Sequence, residues 1–391
     1  MSADKKTIAI RREGTLRLTL LSLIVGLWGC QAFAQAPAAK PEPDVIVFTN
    51  GDQLTGTLER GVGDSVVFKS DVVGEVTVSM DKVKELRSNG SFVVLKKDEK
   101  ITRTSKQPGK ITYADNAVTV ANSSSAIETV PTKELGFIVD QVTFEKETHE
   151  PGIWYGWHGG ITGAVSLVRS TDDTTSASAG VALVRAYPTA PYLPPRDRET
   201  FNLIETYGKS TSPVIPQTVP PTPAAVTKTS IFHTDAEYDK YLSGRLYGLA
   251  GVSFDHNFSQ GLSLQDIFGA GLGYTAIQTP VQELDVKADV HFERQTFQAP
   301  TTSLNLIGST FAEAYHRNLA HKILFTESGS YVQSWNIFRA YSAVAEAGLT
   351  LPTYKRLSMN INAVDNYLNN PAAGFKNNSF QFLVGVVYTL R

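Results

Sequence analysis

Between Leu284 and Glu293 the side chains alternate without a break. Leu284, Val286, Ala288, Val290 and Phe292 fall on one side of an extended chain, and Asp285, Lys287, Asp289, His291 and Glu293 on the other. Successive side chains of a strand point to opposite faces, so a strand sorts these residues completely where a helix would mix them. Two environments suit such a strand. In a soluble sheet the apolar face lies on a core, whereas in a membrane barrel it meets lipid and the charges line the lumen.

The rest of the C-terminal sequence favours the barrel. From Trp154 onward about twelve alternating segments follow one another, an even number, each with roughly the 10 residues plus turn that a tilted membrane strand requires. Their cores lie near residues 155–168, 175–187, 198–207, 228–240, 244–256, 262–277, 283–296, 304–316, 322–333, 341–351, 357–367 and 379–390. In LSLQDIFGAGLGYTAI one face, Ser263, Gln265, Ile267, Gly269, Gly271, Gly273 and Thr275, is small as well as mostly polar, and SFQFLVGVVYTL carries an apolar stripe from Phe380 to Leu390. A soluble sandwich needs a second sheet over such stripes and has strands of only about 5 to 6 residues. Aromatics recur near segment ends, among them Trp154, Tyr155, Trp157, Tyr238, Tyr241, Tyr274, Phe297, Tyr367 and Tyr388, as two interfacial girdles would have them. Leu284, Val286, Val290 and Phe292 are therefore expected to face lipid. With both termini in the periplasm, connections after even-numbered strands should be short. LSGR, TPVQ, NLAH and PTYKR obey; PTAPYLPPR, after the second strand, does not.

Residues 1–34 read as a secretory signal. Lys5, Lys6, Arg11, Arg12 and Arg17 precede or open the apolar run from Leu18 to Trp28, and Ala32-Phe33-Ala34 offers a cleavage site. Cleavage before Cys30, in the lipoprotein-like Leu27-Trp28-Gly29-Cys30, is the alternative, with bulky Trp28 against it. Losing residues 1–34 removes a surplus of three positive charges and moves the formal charge from −2 to −5. A mildly acidic exported chain offers no basic patch for nucleic acid. Cys30, the single cysteine, leaves with the signal, so neither disulfides nor thiol chemistry are expected.

Residues 35–44 form a Pro/Ala linker, residues 45–148 a small β domain and residues 152–391 the barrel. Within the small domain, TGTLERGVGDSVVFKSDVVGEVTVSMDKVKEL matches PGKITYADNAVTVANSSSAIETVPTKELGFI at an offset of about 52 residues. Val78 falls over Val130, Val83 over Leu135 and Leu86 over Ile138. Each copy reads as a strand, a turn, two more strands and a short helical turn. In pattern the two half-repeats resemble SH3-like or Sm-like barrels. The fold class expected is thus all-β: a twelve-stranded antiparallel transmembrane barrel preceded by a small periplasmic β domain.

The run from Ala236 to Phe297, AEYDKYLSGRLYGLAGVSFDHNFSQGLSLQDIFGAGLGYTAIQTPVQELDVKADVHFERQTF, together with WHGGITGAVSLVRSTDDTTSASAGVALVR, resembles the DUF481 family, often labelled salt-induced outer-membrane protein or YdiY-like. The resemblance spans residues 150–391 and its motifs are structural. It implies an outer-membrane barrel of a Gram-negative bacterium and brings no active site with it. Two features depart from it. Such chains usually end on an aromatic, and this one ends Leu390-Arg391; the proline-rich stretch from Ser212 to Pro223 looks like an inserted stiff loop.

The candidate lumen-lining residues are Asp285, Lys287, Asp289, His291 and Glu293, with Arg245. They fit a narrow porin-like channel, because charge at a constriction sets ion preference. They equally fit a structural or stress-related envelope barrel whose acids pair with Arg245 or Lys240 and plug the lumen. No catalytic residue, cofactor or metal site is expected. His158, His233, His256, His291, His316 and His321 are scattered one per strand region, no G-x-S-x-G or HExxH occurs, and adjacent Asp255 and His256 point to opposite faces. An outer-membrane lipid hydrolase or acyltransferase is the alternative of a different class. The partners expected are the bilayer and, through residues 45–148, a periplasmic protein or the cell wall.

Overall fold

The computed structural model describes residues 42–97, 99, 106–122, 127–149, 152–169, 173–212 and 225–390. The signal sequence, the linker up to residue 41 and the proline-rich stretch from residue 213 to 223 lie outside them. No described helix is long and apolar enough to cross a membrane, which leaves strands untouched by that test.

The N-terminal part comprises β1 (Asp44–Phe48), β2 (Gln53–Val62), β3 (Ser65–Ser70), β4 (Gly74–Ser79), β5 (Val83–Lys96), β6 (Gly109–Ala114), β7 (Ala117–Asn122), β8 (Ile127–Pro131) and β9 (Leu135–Asp140), then helix α1 (Gln141–Thr148). The repeat appears strand for strand. The first copy is β2, β3, β4, a 3-10 turn at Met80–Lys82 and β5; the second is β6, β7, β8, a 3-10 turn at Thr132–Glu134 and β9. Val78, Val130, Val83, Leu135, Leu86 and Ile138 are buried in one core. The copies exchange strands: β5 pairs with β6, Leu86 opposite Tyr113, and β9 returns to β2, Ile138 opposite Gly61. Shifted by the repeat offset, these are the same pairing. Gly61 permits the second crossing, because a Cβ there would stand 2.9 Å from the Ile138 side chain. The buried Asp44 carboxylate accepts from the N–H groups of Leu58 at 2.7 Å and Asn89 at 2.8 Å, so its charge is met by backbone donors in place of water. Asp140 caps α1 by accepting from the Thr143 N–H at 2.9 Å.

The barrel strands are β10 (His158–Arg169), β11 (Asp173–Tyr187), β12 (Asp197–Ser212), β13 (Ala225–Tyr241), β14 (Leu246–Asn257), β15 (Leu262–Gln278), β16 (Gln282–Phe297), β17 (Leu304–Asn318), β18 (Leu324–Ser334), β19 (Tyr341–Tyr354), β20 (Leu357–Leu368) and β21 (Asn378–Leu390). They form a closed antiparallel ring in sequence order, each on a segment read from alternation. β21 closes on β10, with Leu390 opposite Gly159 and Gly385 opposite Ala164. In β16 the even positions point outward, Val286 40%, Val290 54% and Phe292 46% exposed, while Asp285, His291 and Glu293 are at most 5% exposed. The β21 stripe is outward too, with Phe380 and Phe382 among the exposed residues. An apolar belt this extensive is far larger than the patches soluble monomers tolerate and suits a hydrocarbon surround.

The over-long connection after the second barrel strand has a physical reason. Ala190, Tyr192 and Leu193 pack with Val93, Leu95, Val139 and Phe144 of the β domain. Buried Glu147 of α1 accepts from both the N–H and the hydroxyl of Thr189 at 2.6 Å each, and the Arg60 guanidinium lies 5.6 Å from the centre of the Tyr192 ring. The connection is a docking segment that holds the β domain at the end of the barrel where the chain enters, called the near end below.

Candidate functional site in the barrel interior

Register determines what faces the lumen. On β16, Asp285, Lys287, Asp289, His291 and Glu293 stand opposite Thr275, Gly273, Gly271, Gly269 and Ile267 of β15. The β15 glycines leave room for neighbouring side chains to lie across them. At Gly273 a Cβ would fall 2.2 Å from the Tyr247 ring.

The charges are paired across the interior as well as along it. Arg198 of β12 donates to Asp239 of β13 and to Asp285 of β16, each at 2.7 Å. Its guanidinium sits 4.9 Å from the Tyr247 ring centre and 5.7 Å from that of Tyr241. The Thr275 hydroxyl completes the site, donating to Asp285 at 2.6 Å. Lys287 pairs with Glu237 of β13. Further from the near end, His233 bridges Asp255 at 2.6 Å and Asp235 at 3.0 Å. His291 contacts Asp289 at 2.8 Å, and the amides of Gln265 and Gln295 both donate to Glu293 at 2.7 Å. Asp289 also accepts from the Thr310 N–H at 2.8 Å.

Arg245 does not belong to this site. β13 ends at Tyr241 and β14 resumes at Leu246, so Arg245 falls in the exposed turn between them. The interior arginine is Arg198. Lys240, the other cation weighed as a plug, pairs with Asp197 at 2.5 Å. Arg198, Glu237 and Asp239 were missed, although Arg198 stands in phase with Thr200 and Asn202 on one face of its strand, and that phase was the available signal.

The opposite wall differs. From β17 through β21 to β10 and β11 the inward positions are small and neutral, such as Thr326, Ser328, Ser330, Asn360 and Ser178, with Glu346 held by the Asn362 amide at 2.6 Å. Among the described residues no group of three or more His, Cys, Asp or Glu could hold a metal ion.

The far mouth is bridged. Residues 369–377, between β20 and β21, reach the turn at residues 258–261 between β14 and β15, half the ring away. The Ala372 N–H donates to the Gln260 carbonyl at 3.1 Å. The Gln260 amide donates to the carbonyls of Asn366 at 3.0 Å and Asn377 at 2.6 Å, and Asn370 donates to Gln295 at 2.8 Å. Leu262, Phe297, Leu368 and Ala372 form a buried apolar cluster there. Gly261, at φ +69°, is required twice over, because a Cβ would also fall 2.4 Å from that of Ala372.

Residues 221–390 match the family described as "Protein of unknown function, DUF481". The DUF481 match begins later than the resemblance read from the sequence, so β10, β11 and β12 lie outside it. No curated protein matches the chain. Among solved structures it is similar to the translocator domain of the autotransporter NalP from Neisseria meningitidis, at 11% identity over 59% of this chain and 86% of that one, with a TM-score of 0.30. The transport unit of the autotransporter AIDA-I from Escherichia coli gives 12% identity, 62% and 93% coverage and a TM-score of 0.30. The CymD monoaromatic hydrocarbon channel gives 7%, 77% and 86%, and 0.28.

Proposed function

We propose that this protein is an outer-membrane barrel with a plugged lumen, which holds its β domain at the periplasmic face as a contact module for protein or cell wall. One observation carries the reading: residues 369–377 reach across the far mouth while Arg198 and Lys287 tie strands four and three apart in the ring together beneath it. An ion crossing the interior meets paired charges on the β12–β16 side and the segment 369–377 at the far mouth. In a planar bilayer the folded protein should give no steady conductance. Removing residues 370–376 should allow brief openings at most, because the Arg198 cluster persists. Steady wild-type conductance would overturn the plugged reading.

The acids of β16 support a second reading, a gated cation path. In that case joint neutralisation of Asp285, Asp289 and Glu293 shifts selectivity toward anions, whereas in a plugged barrel it lowers stability by taking one of its two close carboxylate partners from Arg198.

A further inference from the structure

His256 points away from the lumen, opposite in phase to Asp255, and meets two residues from neighbouring strands. Its Nε2 lies 2.7 Å from the Ser230 hydroxyl oxygen. That hydroxyl donates to Glu205 at 2.5 Å, and the second Glu205 oxygen lies 3.7 Å from His256 Nε2. A nucleophile, a base and a carboxylate are thus brought together on the outer wall, where His256 is stacked 4.7 Å from Phe258. Ser230 has one proton and two acceptors, so a turn about its Cβ–Oγ bond moves that proton from Glu205 to the imidazole.

The surroundings are ordered like a membrane lipid. Two residues beyond Ser230 toward the far end, roughly 7 Å along a strand, Lys228 stands opposite Lys209 in register, both exposed. On the other side of His256, starting about four residues or roughly 13 Å toward the near end, β14 and its neighbour β15 border an apolar hollow of 1560 Å³ lined by Val252, Phe268, Ala250 and Ala270 among others. Along one line on the surface come two cations, a hydroxyl–imidazole pair and an apolar trough. A phosphate, a carboxylic ester and an acyl chain follow one another in the same order in a phosphate-bearing lipid.

We propose that Ser230 and His256 form a hydrolytic site for carboxylic esters of phosphate-bearing lipids, on the outward face of the barrel. The Ser230 oxygen bonds to the ester carbonyl carbon as its proton passes to His256 Nε2. The C–O bond to the alcohol then breaks and His256 returns the proton to the departing alkoxide. Water attacks the acyl-serine, His256 takes its proton, and collapse frees the fatty acid and restores the serine. Glu205, beside Nε2, offsets the imidazolium charge in both halves. The inference rests on the outer-membrane reading for access to lipid, but the chemistry is testable apart from it.

Purified full-length protein in mixed micelles is incubated with diacyl phosphatidylethanolamine in one arm and lipid A in the other, and released fatty acid is measured. A fluorophosphonate probe reports serine reactivity without any lipid. Release in either arm, lost by about a thousandfold or more in Ser230→Ala and in His256→Asn, supports the site, and the active arm names the source of the ester. Probe labelling of wild type and not of Ser230→Ala supports it independently of membrane location. Folding of each variant is read from altered migration on an unboiled gel. Folded wild type that neither labels nor releases fatty acid overturns the proposal, as does undiminished release by folded Ser230→Ala.

Discussion

The two sides of the barrel wall solve the same problem differently. From β12 to β16 the interior is filled by long charged side chains laid over glycines, and Arg198 alone touches carboxylates from two other strands. From β17 round to β11 it is lined mainly by short neutral side chains, apolar ones such as Val344 and Val364 among polar ones such as Asn360, which donates to Thr350. A buried ion pair contributes little net stability, yet removing one partner is severe because the other charge is stranded. A wall of serines and asparagines has no such asymmetry. The charged side therefore fixes which strands face each other, and the neutral side tolerates change.

The sharpest break of that comparison is Arg198→Ala, which strands Asp239 and Asp285. It should cost about 3–5 kcal/mol, read as a lower urea midpoint for the heat-modifiable band on unboiled gels. Next is the outside of the same charged half. Val286→Arg near mid-bilayer should cost about 2–4 kcal/mol for insertion into lipid, measured by refolding into vesicles. Asp289→Asn, three strand positions further along and facing inward, keeps its acceptor for the Thr310 N–H and should fold normally in the same assay. A third change leaves the ring altogether. Glu147→Ala strips two donors of Thr189 of their acceptor and should cost about 1–3 kcal/mol of docking, seen as faster proteolysis of the β domain with the barrel band intact. The smallest effect belongs to the neutral wall: Glu346→Gln keeps an acceptor for Asn362 and should shift the urea midpoint by about 0.5 kcal/mol or less. If Glu346→Gln were as damaging as Arg198→Ala, the contrast between the walls would be wrong.

Much of this was legible in the sequence because period-two alternation is a local property. It placed each barrel strand, and the apolar phase told inside from outside on β16 and β21. Partners are not local. Arg198 and Asp285 are four strands apart in the ring, and nothing in their spacing announces a contact. Arg245, expected to pair with the β16 acids across the lumen, lies instead in the exposed turn between β13 and β14. Ser230, Glu205 and His256 escaped for the same reason: register, which a single strand cannot reveal, sets them side by side. The over-long connection after β11 did show in the sequence as an exception, and its role appeared only when the β domain was seen against it.

The reciprocal strand exchange in the β domain has a consequence for its ancestry and its assembly. Either copy alone would present its first and last strands as open edges, a form suited to self-association. Two such copies trading strands cover those edges for each other, the arrangement met in domain swapping. With the link from β5 to β6 joining them, what would be a concentration-dependent encounter becomes an intramolecular one at high effective concentration. The module can complete itself however dilute the chain, without waiting for a second molecule.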